Sequence, residues 1–168
     1  NPARKTQYDL IAVEKGTRLI NMDSQAPNRV FEEWARGGGF LPELSLLRPE
    51  TTYRNSRFDF YWESSAERGF VEVKGVTLEE DGVVRFPDAP TLRGVKHLQE
   101  LEEARRAVYR TAVCFVIQME NVSWFEPNDW THPAFGAALR YAAEAGVEVL
   151  AMECRVTPEE LLPGRPVP

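Results

Sequence analysis

Asp59, Glu72 and Lys74 are the residues of this sequence whose types and spacing most readily do chemistry. They fall in two runs, RFDFYWE and GFVEVKGVTL, which are rich in aromatic and β-branched residues. The polar segment from Glu63 to Gly69 joins them, so the pair reads as a β-hairpin. Residues two apart on a strand face the same side, so Glu72 and Lys74 share one face and Val71 and Val73 the other. On the partner strand, Phe58, Phe60 and Trp62 alternate with Arg57, Asp59 and Tyr61. A turn centred on Ser65 and Ala66 sets Asp59 directly opposite Glu72, with Cβ atoms about 4.5–5.5 Å apart. Carboxylates that close repel unless a cation lies between them. Mg²⁺ fits, with Mn²⁺ as its substitute, because it takes oxygen ligands and keeps several waters. The plain alternative is a solvated hairpin face on which Asp59 and Lys74 form a diagonal ion pair. A one-residue slip would set Asp59 opposite Val73 and dissolve the site.

The elements that must position this hairpin follow from periodicity. YDLIAVEKGTRLINM reads as two short strands around Lys15-Gly16. A helix follows in RVFEEWARGGG, with Asn28 as a cap, Val30, Phe31 and Trp34 as its inner stripe, and Gly37-Gly38-Gly39 as its stop. After the hairpin, VVRF is a short strand. Thr91 to Ala107 carries Leu92, Val95, Leu98, Leu101 and Ala104 at the spacing of an amphipathic helix. TAVCFVIQM is continuously apolar, as a strand buried on both faces must be. A helix from about Pro133 to Glu144, stopped by Gly146, leads to a last strand in VEVLAMECRV. This order predicts an α/β domain whose mixed β-sheet is flanked by α-helices.

Composition bounds the partners. A chain of 168 residues, 43% of them hydrophobic, supports one domain with one core. Its formal charge of −6 excludes a surface that attracts polyanions as a whole. Cys114 and Cys154 lie in apolar runs and read as buried, reduced thiols, which with the absence of framework spacing predicts a cytoplasmic protein. No apolar stretch is long enough to span a bilayer, and no membrane partner is expected. The chain opens on Asn1 rather than Met, which reads as a processed or excised fragment.

Taken with their order and spacing, RFDF, VEVKGVTL, FPDAPTLRGVKHLQEL and AAEAGVEVLA resemble the C-terminal domain of the sugar fermentation stimulation protein A family, from about Asn28 to Val156. Asp59 with Glu72-Val73-Lys74 looks like the PD-(D/E)xK pattern of that domain, which implies a restriction-endonuclease-like fold over residues 26–168. Carried onto this sequence, the resemblance makes Asp59 and Glu72 metal ligands, assisted by the Val73 carbonyl. It makes Lys74 the group that orients water and offsets phosphate charge. A Glu on the first helix also belongs to the pattern, here Glu33, with Glu32 as its neighbour. The implied chemistry is Mg²⁺-assisted hydrolysis of a phosphodiester in DNA, or RNA. The alternative is a DNA-binding regulator of sugar use that keeps the nuclease fold without cleaving. The chain departs from the pattern at Phe58, where Pro is named, and at Gly75, where the family more often has Ser. The family also carries an N-terminal OB-fold domain for nucleic-acid binding. Residues 1–25 would be its tail or a bridge to it.

Further residues stand beside these. Arg85, Arg93, Lys96 and His97 bring positive groups to one loop and helix; Arg93 and Lys96 could face phosphate together or pair with Glu100, Glu102 and Glu103 on a solvated face. The resemblance favours Arg93, Lys96 and His97 as nucleic-acid contacts. Asp88 reads as that helix's cap, or as a further carboxylate near the metal. Only two histidines, His97 and His132, and no HExxH or CxxC pattern argue against zinc. Trp124, Phe125 and Trp130 read as a packing cluster in a loop rather than a base-stacking set.

Overall fold

The computed structural model describes residues 9–168. Its frame is an antiparallel meander of β3 (Leu44–Tyr53), β4 (Ser56–Ser64) and β5 (Arg68–Val76). Strand β8 (Arg110–Ile117) joins β5 in parallel, β10 (Glu148–Val156) joins β8 in parallel, and β11 (Leu161–Pro166) closes the far edge antiparallel to β10. The result is a six-stranded mixed sheet of order β11-β10-β8-β5-β4-β3. Period-two alternation along β8 divides the interior. Val113, Phe115 and Ile117 pack with helices α2 (Leu92–Arg106) and α3 (Pro133–Glu144), while Ala112, Cys114 and Val116 pack with α1 (Ala26–Arg36). The sheet thus carries a core on each face, and both cysteines are buried and free. Burial pushes the Cys154 thiol up to about 12. Among the described residues no helix is long and apolar enough to cross a membrane.

Two small sheets complete the molecule. The hairpin β1 (Ala12–Lys15) and β2 (Arg18–Asn21) appears as expected, although the expected strand begins at Tyr8, outside the described residues. Strands β6 (Leu78–Glu80), β7 (Val83–Phe86) and β9 (Trp124–Pro127) form the other. Phe125 is therefore a strand residue that stacks on Phe115, whereas Trp130 stands 96% exposed, so the expected aromatic cluster does not exist as such.

Helix starts differ from expectation for local reasons. Pro27 sits in the first turn of α1, where a missing N–H costs nothing, so Asn28 lies inside the helix and does not cap it. Thr91, not Asp88, caps α2: its hydroxyl accepts from Gly94 N–H at 2.9 Å, and Asp88 is exposed. Leu92 lies outside the apolar stripe, 82% exposed; the stripe is Gly94, His97, Leu98, Leu101 and Ala104.

The hairpin register is as expected, with Phe60 opposite Val71 and Tyr61 opposite Phe70. The β4–β5 ladder ends there, one residue before Asp59. The expected common face of Phe58, Phe60 and Trp62 also breaks at this point. Phe60 and Trp62 belong to the α1-side core, and Phe58 to the α2-side core. On β3, between the pairs Pro49–Phe60 and Thr51–Phe58, Glu50 turns to φ 52°. The sheet is thus wrung at Asp59, and β4 and β5 part.

Candidate metal centre

The gap between β4 and β5 is where the expected residues meet. Asp59 bridges it: Oδ2 accepts the Val73 N–H at 2.8 Å, and Oδ1 accepts from Asn28 Nδ2 of α1 at 3.0 Å. The carboxylate replaces the backbone acceptor that the ended ladder no longer supplies. Across the gap, Glu72 projects to the α2 side and is 3% exposed. Its Oε1 accepts from Lys74 Nζ at 2.5 Å and from His97 Nδ1. Its Oε2 is buried and has no hydrogen-bond partner. A buried, unpaired carboxylate oxygen costs about 1–3 kcal/mol or more, so such an atom calls for a ligand.

The charges agree. Burial, then the negative charge of Glu72, holds the Asp59 carboxyl above its ordinary range, against the Val73 N–H, Asn28 and Lys74. Burial also works to raise Glu72, but the His97 hydrogen bond and the Lys74 ammonium outweigh it and hold that carboxyl below its ordinary range. The centre therefore keeps one anion compensated and one short of positive charge. Among the described residues, no group of three or more His, Cys, Asp or Glu side chains is arranged to hold a metal. Two carboxylates and a carbonyl suit a hard cation that keeps its waters, and do not suit zinc.

The other candidates divide sharply. Val73 reaches the centre through its N–H, which donates to Asp59 Oδ2 at 2.8 Å. Glu33 is exposed and lines a crevice with Arg29 and the Thr157–Leu161 segment, while Glu32 pairs with Arg36, so α1 does not bring its glutamates to Asp59 and Glu72. The α1 residue that does reach the centre is Asn28. His97 is not a surface contact but is 8% exposed, with Glu72 on one nitrogen and Arg93 on the other, Nε to Nε2, at 3.3 Å. Arg93 turns to His97, and Lys96 turns to Glu100 at 3.3 Å and lines an open groove of about 480 Å³ with Tyr53, Arg54 and Ser56. Arg85 belongs to the small sheet, paired with Glu80 and Glu126. A side chain at Gly75 would meet Gln118 Oε1 at 2.6 Å and Pro27 Cγ at 2.7 Å, which leaves no room there for Ser without repacking.

Sequence reasoning left Asn28 out of the centre and did not foresee His97 buried against Glu72, and both left signals. Ala26-Pro27 as a helix start puts Asn28 inside the first turn. His97 follows Gly94 by three and precedes Leu101 by four, a spacing that sets it on the buried side of α2.

Comparison with known proteins agrees with this architecture. A family model described as the sugar fermentation stimulation protein RE domain matches residues 25–160. A sugar fermentation stimulation protein homolog of Desulfitobacterium hafniense is 57% identical over 161 residues, which are 96% of this chain and 70% of that protein. The homolog of Clostridium beijerinckii is 53% identical over 161 residues, covering 96% and 71%. The structure of Pyrococcus furiosus SfsA in complex with Ca²⁺ superposes with a TM-score of 0.88 at 28% identity, over 98% of this chain and 72% of that one. With a family model over most of its length and relatives at more than half identity, this chain belongs to the sugar fermentation stimulation protein family.

Proposed function

We propose that the chain carries a divalent-cation-dependent phosphodiesterase centre acting on nucleic acid, DNA in the first instance. The observation that carries this reading is Glu72 Oε2, buried and unpartnered across from an under-compensated Asp59. The Ca²⁺ complex of the Pyrococcus relative supports a hard divalent cation, and Mg²⁺ has the same preference for oxygen. Asp59 and Glu72 would hold it, assisted by the Val73 carbonyl. When bound, the cation supplies Lewis acidity toward the phosphoryl group and activates water. Lys74 contributes a compact charge: Nζ donates to Glu72 Oε1 at 2.5 Å and lies 3.4 Å from His97 Nδ1, and its ammonium would offset charge on a phosphate oxygen. Much of the substrate affinity then comes from an N-terminal OB-type domain, with residues 1–25 as tail or bridge.

The test is incubation of the purified chain with DNA and with RNA, in Mg²⁺, Mn²⁺ or EDTA. Cleavage in either cation and none in EDTA is expected. Lys74→Ala, Glu72→Ala and Asp59→Ala should each abolish it without additive effects, because residues acting as a unit fail together. A Lys74→Ala protein that cleaves as fast as wild type puts the activity elsewhere. Wild type that binds DNA but never cleaves makes the binding-only regulator the better account.

A further inference from the structure

Arg93 and His97 form a chain of donors that ends on the metal carboxylate. An arginine can only donate, so the 3.3 Å contact from Arg93 Nε makes His97 Nε2 an acceptor. The ring proton then sits on Nδ1, the nitrogen against Glu72 Oε1. Lys74 Nζ donates to the same oxygen from β5. Two donors from two different elements therefore converge on Oε1 and leave the other oxygen, Oε2, buried and without a partner. Elsewhere, Arg85, Arg106, Arg110 and Arg140 are each paired with a carboxylate. Arg93 has no such partner among the described residues, and its side chain is given to the imidazole instead.

We infer that Arg93 and His97 are positioning residues for the cation: Arg93 fixes the His97 tautomer, and His97 orients Glu72 so that Oε2 faces the metal. The inference rests on the cation reading above and goes beyond it, because neither residue touches the cation. Ligands held this way by outer partners typically lose about 10–100-fold in metal affinity when the partner is removed.

The sign of one effect separates positioning from bare electrostatics. Removing a positive charge near a cation site should tighten cation binding by Coulomb's law. Positioning demands the opposite. The experiment is a calorimetric Mn²⁺ titration of the purified chain without nucleic acid, alongside thermal melting. Arg93→Ala is expected to melt close to wild type, since Arg93 is exposed, yet to bind Mn²⁺ several-fold more weakly. His97→Ala should lose about tenfold or more. His97→Gln should recover part of the loss, because an amide both accepts and donates. Binding by Arg93→Ala that equals or exceeds wild type overturns the inference, as does His97→Gln that is no better than His97→Ala. If His97→Ala does not fold, the sign for Arg93→Ala decides alone. Wild type that binds no Mn²⁺ overturns the cation reading itself, and this inference with it.

Discussion

Asp59 does with a side chain what the sheet does elsewhere with a carbonyl. Its carboxylate takes the Val73 N–H at the point where β4 and β5 part, and it does so close to a second carboxylate. A neutral amide can keep both contacts, since Asn28 need only turn its own amide to accept instead of donate. Asp59→Asn should therefore melt a few degrees higher than wild type in EDTA, because a repulsive buried charge is gone. Millimolar Mn²⁺ should raise the wild-type midpoint and leave that of the variant in place, a difference that scanning fluorimetry reads directly. A variant that melts lower in EDTA, or that still responds to Mn²⁺, would contradict the charge balance described for the centre. The three central residues were legible because strand alternation and one turn fixed their relation. Asn28 was not, because helix phase depends on where the helix starts and Pro27 shifts it; His97 was not, because the expected stripe ran through the exposed Leu92 instead of Gly94 and His97.

Among the elements, three that escaped sequence reading share a place. Strands β3 and β11 are the two edges of the main sheet, and β9 is an edge of the three-stranded one. Each contains proline: Pro49, Pro127, and Pro163 with Pro166. An edge strand pairs on one side only, so it tolerates a residue without an N–H, and the same residue hides it from a pattern search. The strands read correctly include the fully buried β8 and the alternating β5, whose sequences answer to a packed environment on both faces. The β1–β2 hairpin is tied to the rest through Glu79, whose carboxylate takes Lys15 at 2.8 Å, Arg18 at 2.5 Å and the Gly82 N–H at 2.6 Å. Burial works to raise this carboxyl, but Lys15, Arg18 and the Gly82 N–H prevail and lower it from 4.5 to about 2. A depressed acid stabilises the fold above its unfolded value and loses that contribution as pH falls toward the folded value. The tie should therefore be intact above about pH 5 and released between there and about pH 2. It is worth at most about 3 kcal/mol, and less in practice because Lys15 is half in water. Amide exchange at Leu19 and Ile20 should accelerate across that window, and Glu79→Gln should show the fast rate already at neutral pH. Exchange indifferent to both would mean that the hairpin is held by packing instead.

At the scale of the whole molecule, charge and length set expectations for binding. The net charge is −6, and among the described residues most of the basic side chains named above are paired with acids. The chain spans about 70% of the Desulfitobacterium relative. DNA binding by the chain alone should be weak and should fall steeply between about 50 and 200 mM salt, as phosphate contacts require. The intact relative should bind on the order of 100-fold more tightly in the same buffer, since a second linked module raises effective concentration. Equal affinities by fluorescence anisotropy would refute that division of labour. The fold itself was legible as a mixed sheet between helices because hydrophobic period reports layers; of the small third sheet only β7 was legible, because its partners β6 and β9 are short and lack alternation. Phe58 and Phe60, on either side of Asp59, are anchored in opposite cores. Substitutions that loosen or tighten either interior are thus transmitted to the same carboxylate, and a lineage drifting toward greater thermal robustness carries the position of Asp59 with it.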